Sequence, residues 1–228
     1  MSVAEIKRGK ATPWSFSSLT AYETCPRRFY LTRISKQVSE PQTAATMHGN
    51  EVHKALEQYV GGKAPLASKY EDYRDVADKL KQSSGKKLLE YKFGLTKALT
   101  PTTFFASDVW CRGVLDVGIV KEDTAIVLDY KTGKRKVDAD QLKLFAGAAL
   151  VLWPFAKKIK TGYIWLASGE MDTEEFTPSD KTAIFQDFAA RVHRMETSEK
   201  NDDWPANPSG LCRQWCPVGK KNCDHCGS

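Results

Sequence analysis

No apolar run in this 228-residue chain approaches the roughly 20 residues that cross a bilayer, and the opening MSVAEIKRGK holds no hydrophobic stretch of the signal-peptide kind. A cytoplasmic address and no membrane partner are the expectation. Internal repeats and low-complexity tracts are also missing, and 41% hydrophobic with 27% charged residues excludes a disordered or collagenous chain. One large domain, or a domain with an appendage, fits this length. A disulfide framework is not expected either. The six cysteines belong in a reducing compartment, and Cys212, Cys216, Cys223 and Cys226 crowd into the last 17 residues, which suits metal ligation better. The net charge of +6 is unevenly spread: the first 37 residues hold Lys7, Arg8, Lys10, Arg27, Arg28, Arg33 and Lys36 against Glu5 and Glu23. This is a basic patch for a polyanion or a solvated face.

Apolar spacing predicts a helix capped by Ser17 or Ser18 with Leu19 and Tyr22 inward, interrupted at Pro26. A second helix spans Thr43 to Val60, with Val52, Leu56 and either Tyr59 or Val60 inward, and stops at Gly61-Gly62; a more polar one covers Ser68 to Gln82. Strand-like runs follow at Lys87–Thr96, Val109–Val120 and Thr124–Lys131. Then come a helix over Asp138–Trp153, a strand over Thr161–Ala167 and an amphipathic helix over Pro178–Met195. Past Ser198 the chain turns polar, Pro-bearing and Cys-rich.

The segment VWCRGVLDVGIVKEDTAIVLDYKTGK carries the chemistry. A hairpin centred between Glu122 and Asp123 pairs residues whose numbers sum to 245, so Asp116 faces Asp129 with Cβ atoms about 5 Å apart. Such a pair repels unless a cation lies between. Alternation puts Lys131 beside Asp129, roughly 7 Å along the same face, and turns Tyr130 the other way. Hard oxygen ligands favour magnesium or manganese, and an adjacent ammonium orients or deprotonates water. Mutual neutralisation of Asp129 and Lys131 on an exposed face is the plainer alternative. Gln141 completes a capping box with Asp138, unless it serves the same site. Cys111 reads as a small buried apolar residue.

The ordered motifs Gly113-Val114-Leu115-Asp116, Asp129-Tyr130-Lys131-Thr132 and Gln141 resemble the core of the PD-(D/E)XK nuclease superfamily in its RecB-like branch. That resemblance implies Asp116 and Asp129 as metal ligands, the Tyr130 carbonyl as a further ligand, Lys131 as the catalytic lysine and Gln141 near the reacting phosphate. Phe145 stands where much of the branch has a tyrosine. Gly49 and His53 match a Gly-x-x-x-His pattern whose histidine binds metal, with Glu57 one turn on. Glu90 lies where such sequences often have an acid. His48, His193 and His225 carry no assignment.

The segment SFSSLTAYETCPRRFY resembles the N-terminal segment of the iron-sulfur members, which include the CRISPR adaptation nucleases and phage RecB-like exonucleases. The resemblance implies a 4Fe-4S cluster on Cys25, Cys212, Cys216 and Cys223, tying the chain ends together. Zinc on the four C-terminal thiolates, Cys226 among them, is the alternative.

The expected fold is α/β, a restriction-endonuclease-like core with a central mixed sheet between helices and a Cys-rich closure. Residues 13–198 form the nuclease core, and residues 199–228 form the cluster-binding segment packed with the N-terminal helix. The expected function is Mg- or Mn-dependent hydrolysis of DNA, as exonuclease or end-processing enzyme in recombination, repair or phage DNA metabolism. DNA partners are single strands or duplex ends, with a helicase, an annealing protein or a second copy as protein partners. The loop Lys134, Arg135 and Lys136 would hold phosphates or form only a solvated turn, and Trp14 or Trp110, where exposed, would stack on unpaired bases, most of the six tryptophans being expected in the core. The alternatives are a non-catalytic DNA-binding scaffold and a zinc-stabilised adaptor.

Overall fold

The computed structural model describes residues 12–135 and 139–227. Lys7, Arg8, Lys10, Glu5, Lys136 and Asp138, named above, lie outside the described residues. In chain order the elements are α1 (Phe16–Thr24), α2 (Pro26–Phe29), α3 (Ala44–Val60), α4 (Arg74–Gln82), β1 (Lys86–Leu95), β2 (Pro101–Thr102), β3 (Cys111–Lys121) and β4 (Thr124–Lys131), then α5 (Asp140–Leu152), β5 (Lys158–Trp165), β6 (Glu170–Phe176) and α6 (Lys181–Asn201). They make two compact units, one of Gln42–Gln186 and the other of the described residues in Met1–Pro41 and Asp187–Ser228. Among the described residues no helix is long and apolar enough to cross a membrane.

In the smaller unit α1 starts one turn earlier than the serine pattern predicts. Ser15 is the cap, because its hydroxyl takes the Ser18 N–H while the Ser18 hydroxyl takes the Ser15 N–H at 2.7 Å, satisfying two otherwise orphaned donors. Pro26 then opens α2, where its missing N–H costs nothing. Tyr22, Phe29 and Tyr30 surround Trp204 at ring distances of 6.4, 6.0 and 5.3 Å. Glu23 ties α1 to α6 through both nitrogens of a fork on Arg191, at 2.8 and 2.7 Å. Trp14 does not reach a surface on which bases could stack: it is fully buried, stacked on Phe188 at 5.7 Å.

The larger unit is built on a six-stranded mixed sheet, ordered β2-β1-β3-β4-β5-β6. Every neighbouring pair is antiparallel except β4 with β5, whose parallel pairing requires the crossover that α5 supplies. Thr43 caps α3, and Val52, Leu56 and Val60 recur every four residues to form its buried stripe. That stripe packs with Val117, Ile119, Leu128 and Tyr130 of the sheet. Truncating Leu56, fully buried there, would cost about 2–5 kcal/mol. Helix α5 is apolar nearly all round and is buried from Leu144 to Val151. Gly147 lets it approach its neighbours, since a Cβ there would lie 2.9 Å from Ile184.

Besides the two-residue strand β2, other elements depart from the sequence pattern. Residues Ser68–Tyr73 form a 3-10 helix kinked at Tyr70 before α4 begins, and the acidic run Glu170–Phe176 forms β6 at the sheet edge. Only Phe176 of β6 is buried, so the strand lacks an apolar alternation, while its charges guard an exposed edge.

Candidate active site

The β3–β4 hairpin pairs Lys121 with Thr124 and continues to Val117 with Leu128, every pair summing to 245. Glu122 takes a left-handed φ of 54° in the two-residue turn. One step past the last pair stand Asp116 and Asp129, where the ladder is replaced by a side-chain bond: Tyr130 N–H donates to Asp116 Oδ2 at 2.8 Å. The neighbouring pairs Leu89–Val117 and Tyr91–Leu115 set Glu90 level with Asp116 on the adjoining strand. Glu90 adopts φ 49°, a left-handed conformation that costs a non-glycine residue about 1 kcal/mol. Helix α3 delivers His53 to the same place. Its Nδ1 lies 3.3 Å from Asp116 Oδ2 and its Nε2 lies 3.2 Å from the Tyr130 carbonyl. His53, Glu90 and Asp116 can each place a donor atom within 4.8 Å of the others.

Asp129 is held from the other side of the sheet. Its Oδ1 accepts from Gln141 Nε2 at 3.0 Å, its Oδ2 pairs with Lys131 Nζ at 2.6 Å, and Lys131 donates to Gln141 Oε1 at 2.9 Å. The three side chains close a triangle above the Tyr163 ring, whose centroid lies 4.8 Å from Nζ. Gln141 therefore bridges Asp129 and Lys131; α5 starts at Asp140, with Ala139 at the N-cap and no side-chain cap among the described residues. Tyr130 points the opposite way into the α3 core, its ring 5.6 Å from that of His53.

This center carries more negative charge than it can comfortably hold. Burial, and then the Asp116 charge, push Asp129 up to about 6 despite Lys131. The same two causes raise Glu90, with His53 partly offsetting them. Burial opposes the imidazolium of His53, yet the bond to Asp116 and the charges of Asp116, Asp129 and Glu90 outweigh it and raise its pKa. Both ring nitrogens face oxygen acceptors, which only the doubly protonated ring satisfies. A proton here does work that a divalent cation does better. An imidazole, carboxylates and a main-chain carbonyl are a fitting donor set for one.

Other candidate positions lie elsewhere or are occupied. Glu57 is paired with Lys54 at 3.2 Å and Lys63 at 3.0 Å, outside the His53 group. A Cβ on Gly49 would meet Thr132 Oγ1 at 3.5 Å, so that turn of α3 lies over the end of β4. Phe145 is buried. Arg135, exposed like Lys134, is latched to Glu170 at 2.9 Å and to Asp172, leaving Lys134 as the cation without an acidic partner among the described residues of that loop. Sequence reasoning underweighted Glu90 and did not see Tyr163. Extending the hairpin register to β1 would have found the first, whereas the second depends on the parallel β4–β5 pairing that matches Asp129 with Tyr163.

In the smaller unit Cys25, Cys212, Cys216, Cys223, Cys226 and His225 line one cleft, and all six cysteines of the chain are free. Cys25 Sγ accepts from the N–H groups of Arg28 at 3.5 Å and Asn207 at 3.4 Å, and Cys212 Sγ from that of Ser209 at 3.3 Å. Arg28 and Arg33 both pair with Glu40, so part of the N-terminal basic run is neutralised. Cys111 is fully buried in the larger unit.

A model of the PD-(D/E)XK nuclease superfamily matches residues 13–224. The chain belongs to that superfamily of metal-dependent nucleases, and its six-stranded mixed sheet flanked by helices is the restriction-endonuclease-like fold. Among solved structures, one titled "Crystal structure of SSO0001" aligns over 83% of this chain and 79% of its own, at 15% identity and a TM-score of 0.44. Comparison with curated proteins gives no match.

Proposed function

We propose that the chain is a Mg- or Mn-dependent deoxyribonuclease of the RecB-like branch, acting at DNA ends in recombination, repair or phage DNA metabolism. The observation that carries this reading is the convergence of His53, Glu90 and Asp116 within 4.8 Å, with the Asp129–Lys131–Gln141 triangle beside them. His53, Asp116, Asp129 and the Tyr130 carbonyl are the proposed ligands, and Glu90 joins them. A divalent cation bound there supplies Lewis-acid charge to the scissile phosphate and acidifies a water. Lys131 orients the attacking water for in-line displacement and stabilises negative charge as it develops on the phosphoryl oxygens. Gln141 fixes Lys131 Nζ and Asp129 Oδ1 at once, so that ammonium and carboxylate keep their separation through the reaction. Asp116, anchored by the Tyr130 N–H, holds His53 in register.

For the smaller unit the reading is a structural 4Fe-4S cluster on Cys25, Cys212, Cys216 and Cys223, in a reducing intracellular setting. Residues 199–228 are then the cluster-binding segment, packed with the N-terminal helix. A second reading has its own support: Cys226 is buried, with Cys216 and Cys223 packed in the same small core, as zinc on the four C-terminal thiols would require. Iron, sulfide and zinc analysis of anaerobically purified protein separates the two.

The nuclease reading is tested by incubating that protein with end-labelled single- and double-stranded DNA, with and without manganese, beside an Asp129→Ala control. Product length distinguishes an exonuclease from an endonuclease. A wild-type protein that leaves every substrate intact would favour the scaffold or adaptor reading.

A further inference from the structure

The larger unit has a second surface that the chemistry above does not use. Phe105 is 78% exposed, the most exposed large hydrophobic among the described residues, and its ring meets Phe104 edge-on at 4.9 Å. Two cations flank the pair: Arg112 lies 5.0 Å and Lys92 5.9 Å from the Phe104 ring centroid. Neither cation has a carboxylate partner among the described residues. The loop is not a loose tip. Thr102 bonds Asp108 at 3.0 Å, Ala106 N–H bonds Thr103 at 3.1 Å, and Trp110 N–H bonds Leu95 at 2.8 Å, so the rings are presented on a pinned turn. Asp108 is the loop's own acid, and it is engaged by Thr102.

The register relates this surface to the reacting center. Arg112, Val114 and Asp116 alternate onto one face of β3, which puts Arg112 about 13 Å from Asp116 along the strand. Lys92 pairs opposite Val114, about 7 Å along. A track of cation, cation and exposed aromatic thus leads to the acidic cluster.

We propose that Lys92, Phe104, Phe105 and Arg112 bind an unpaired DNA strand whose continuation enters the Asp116 center; this rests on the nuclease reading. Lys92 and Arg112 hold phosphates, and Phe105 stacks on a base. Paired bases hide their faces in the duplex, so stacking on Phe105 selects single strands. The patch suits a protein partner poorly, because lysine is depleted from protein interfaces and two rings are a small apolar core.

The test is anisotropy of fluorescein-labelled oligothymidylate in EDTA, where no cleavage occurs. Phe105→Ala should weaken binding about tenfold while Phe105→Tyr retains it. Replacing Lys92 and Arg112 together by Ala should reduce the slope of log affinity against log salt by about 1.4. Phe155→Ala, which removes another exposed aromatic, should change nothing. Wild-type binding by Phe105→Ala, no wild-type binding at all, or equal Phe105-dependent binding of a blunt duplex would overturn the proposal. Phe105-dependent binding by a protein that never cleaves DNA would sink the nuclease reading and keep this surface. Cleavage with no effect of Phe105 would do the reverse.

Discussion

The two clusters of metal-seeking side chains are built in different ways. His53, Glu90 and Asp116 ride on α3, β1 and β3, and the backbone ladders fix their spacing before any ligand arrives. The thiols of Cys212, Cys216, Cys223 and Cys226 lie among turns, in a stretch from residue 203 to 227 with no helix or strand. The first center is preorganised by the fold and strained by its charge. The second has little regular structure to hold it, so the metal or cluster proposed for it would become part of the folding free energy. Loss of ligand should therefore impair chemistry in one region and stability in the other.

The largest expected effect breaks the first region alone. Asp129→Ala or Lys131→Ala should lower cleavage by about 10³-fold or more, with visible absorption and thermal unfolding close to wild type. Colour lost together with activity would mean that the two regions are not separable. Next, Cys25→Ser should bleach an anaerobic brown preparation and lower its Tm on the order of 10 °C. Full absorption in that variant would remove Cys25 from the ligand set. Glu90→Gln should then cost 10–100-fold in metal affinity, read by manganese titration of cleavage, since it removes a carboxylate beside Asp116 without altering the backbone. An unchanged titration would leave Glu90 as a bystander.

The smallest effect is one of stability. The folded pKa of Asp129, about 6, lies above the ordinary aspartate value of 3.8, so the folded state binds this proton more tightly than the unfolded chain. The charge penalty is fully present above about pH 6 and is relieved as pH falls toward 4. In metal-free protein Asp129→Asn should raise stability by at most about 3 kcal/mol at pH 8, a gain that vanishes near pH 4. Thermal unfolding in chelator at the two pH values checks this. A variant less stable than wild type at pH 8 would show that the Lys131 pair outweighs the burial cost.

Much of the larger unit was legible in advance because period and turn chemistry are local. The 245 register followed from Glu122-Asp123 and the flanking β-branched residues, and the α3 stripe from Val52 and Leu56, with the choice of Val60 over Tyr59 left to the structure. The Ser15 cap was missed in favour of Ser17 or Ser18, since serine hydroxyls at all three positions suit an N-terminus and only the reciprocal bonds between Ser15 and Ser18 single one out. Strand β6 could not be read, because an acidic edge strand has no apolar face to announce it. Trp14 was misplaced for the opposite reason: an indole near a chain end has no local pattern that distinguishes core from surface, and its packing on Phe188 lies far along the sequence.

The sequence by itself determined the donor chemistry: which residues carry carboxylate, imidazole, ammonium and thiol, and the hairpin register that leaves Asp116 and Asp129 one step beyond the last β3–β4 pair. Tertiary structure decided which of them work together. It alone set Glu90 level with Asp116 in a strained turn of the backbone, drew Gln141 from its helix end onto Asp129 and Lys131, and latched Arg135 to β6. These choices depend on strands and helices meeting across long stretches of chain, where charge and burial act through space and leave no period in the sequence.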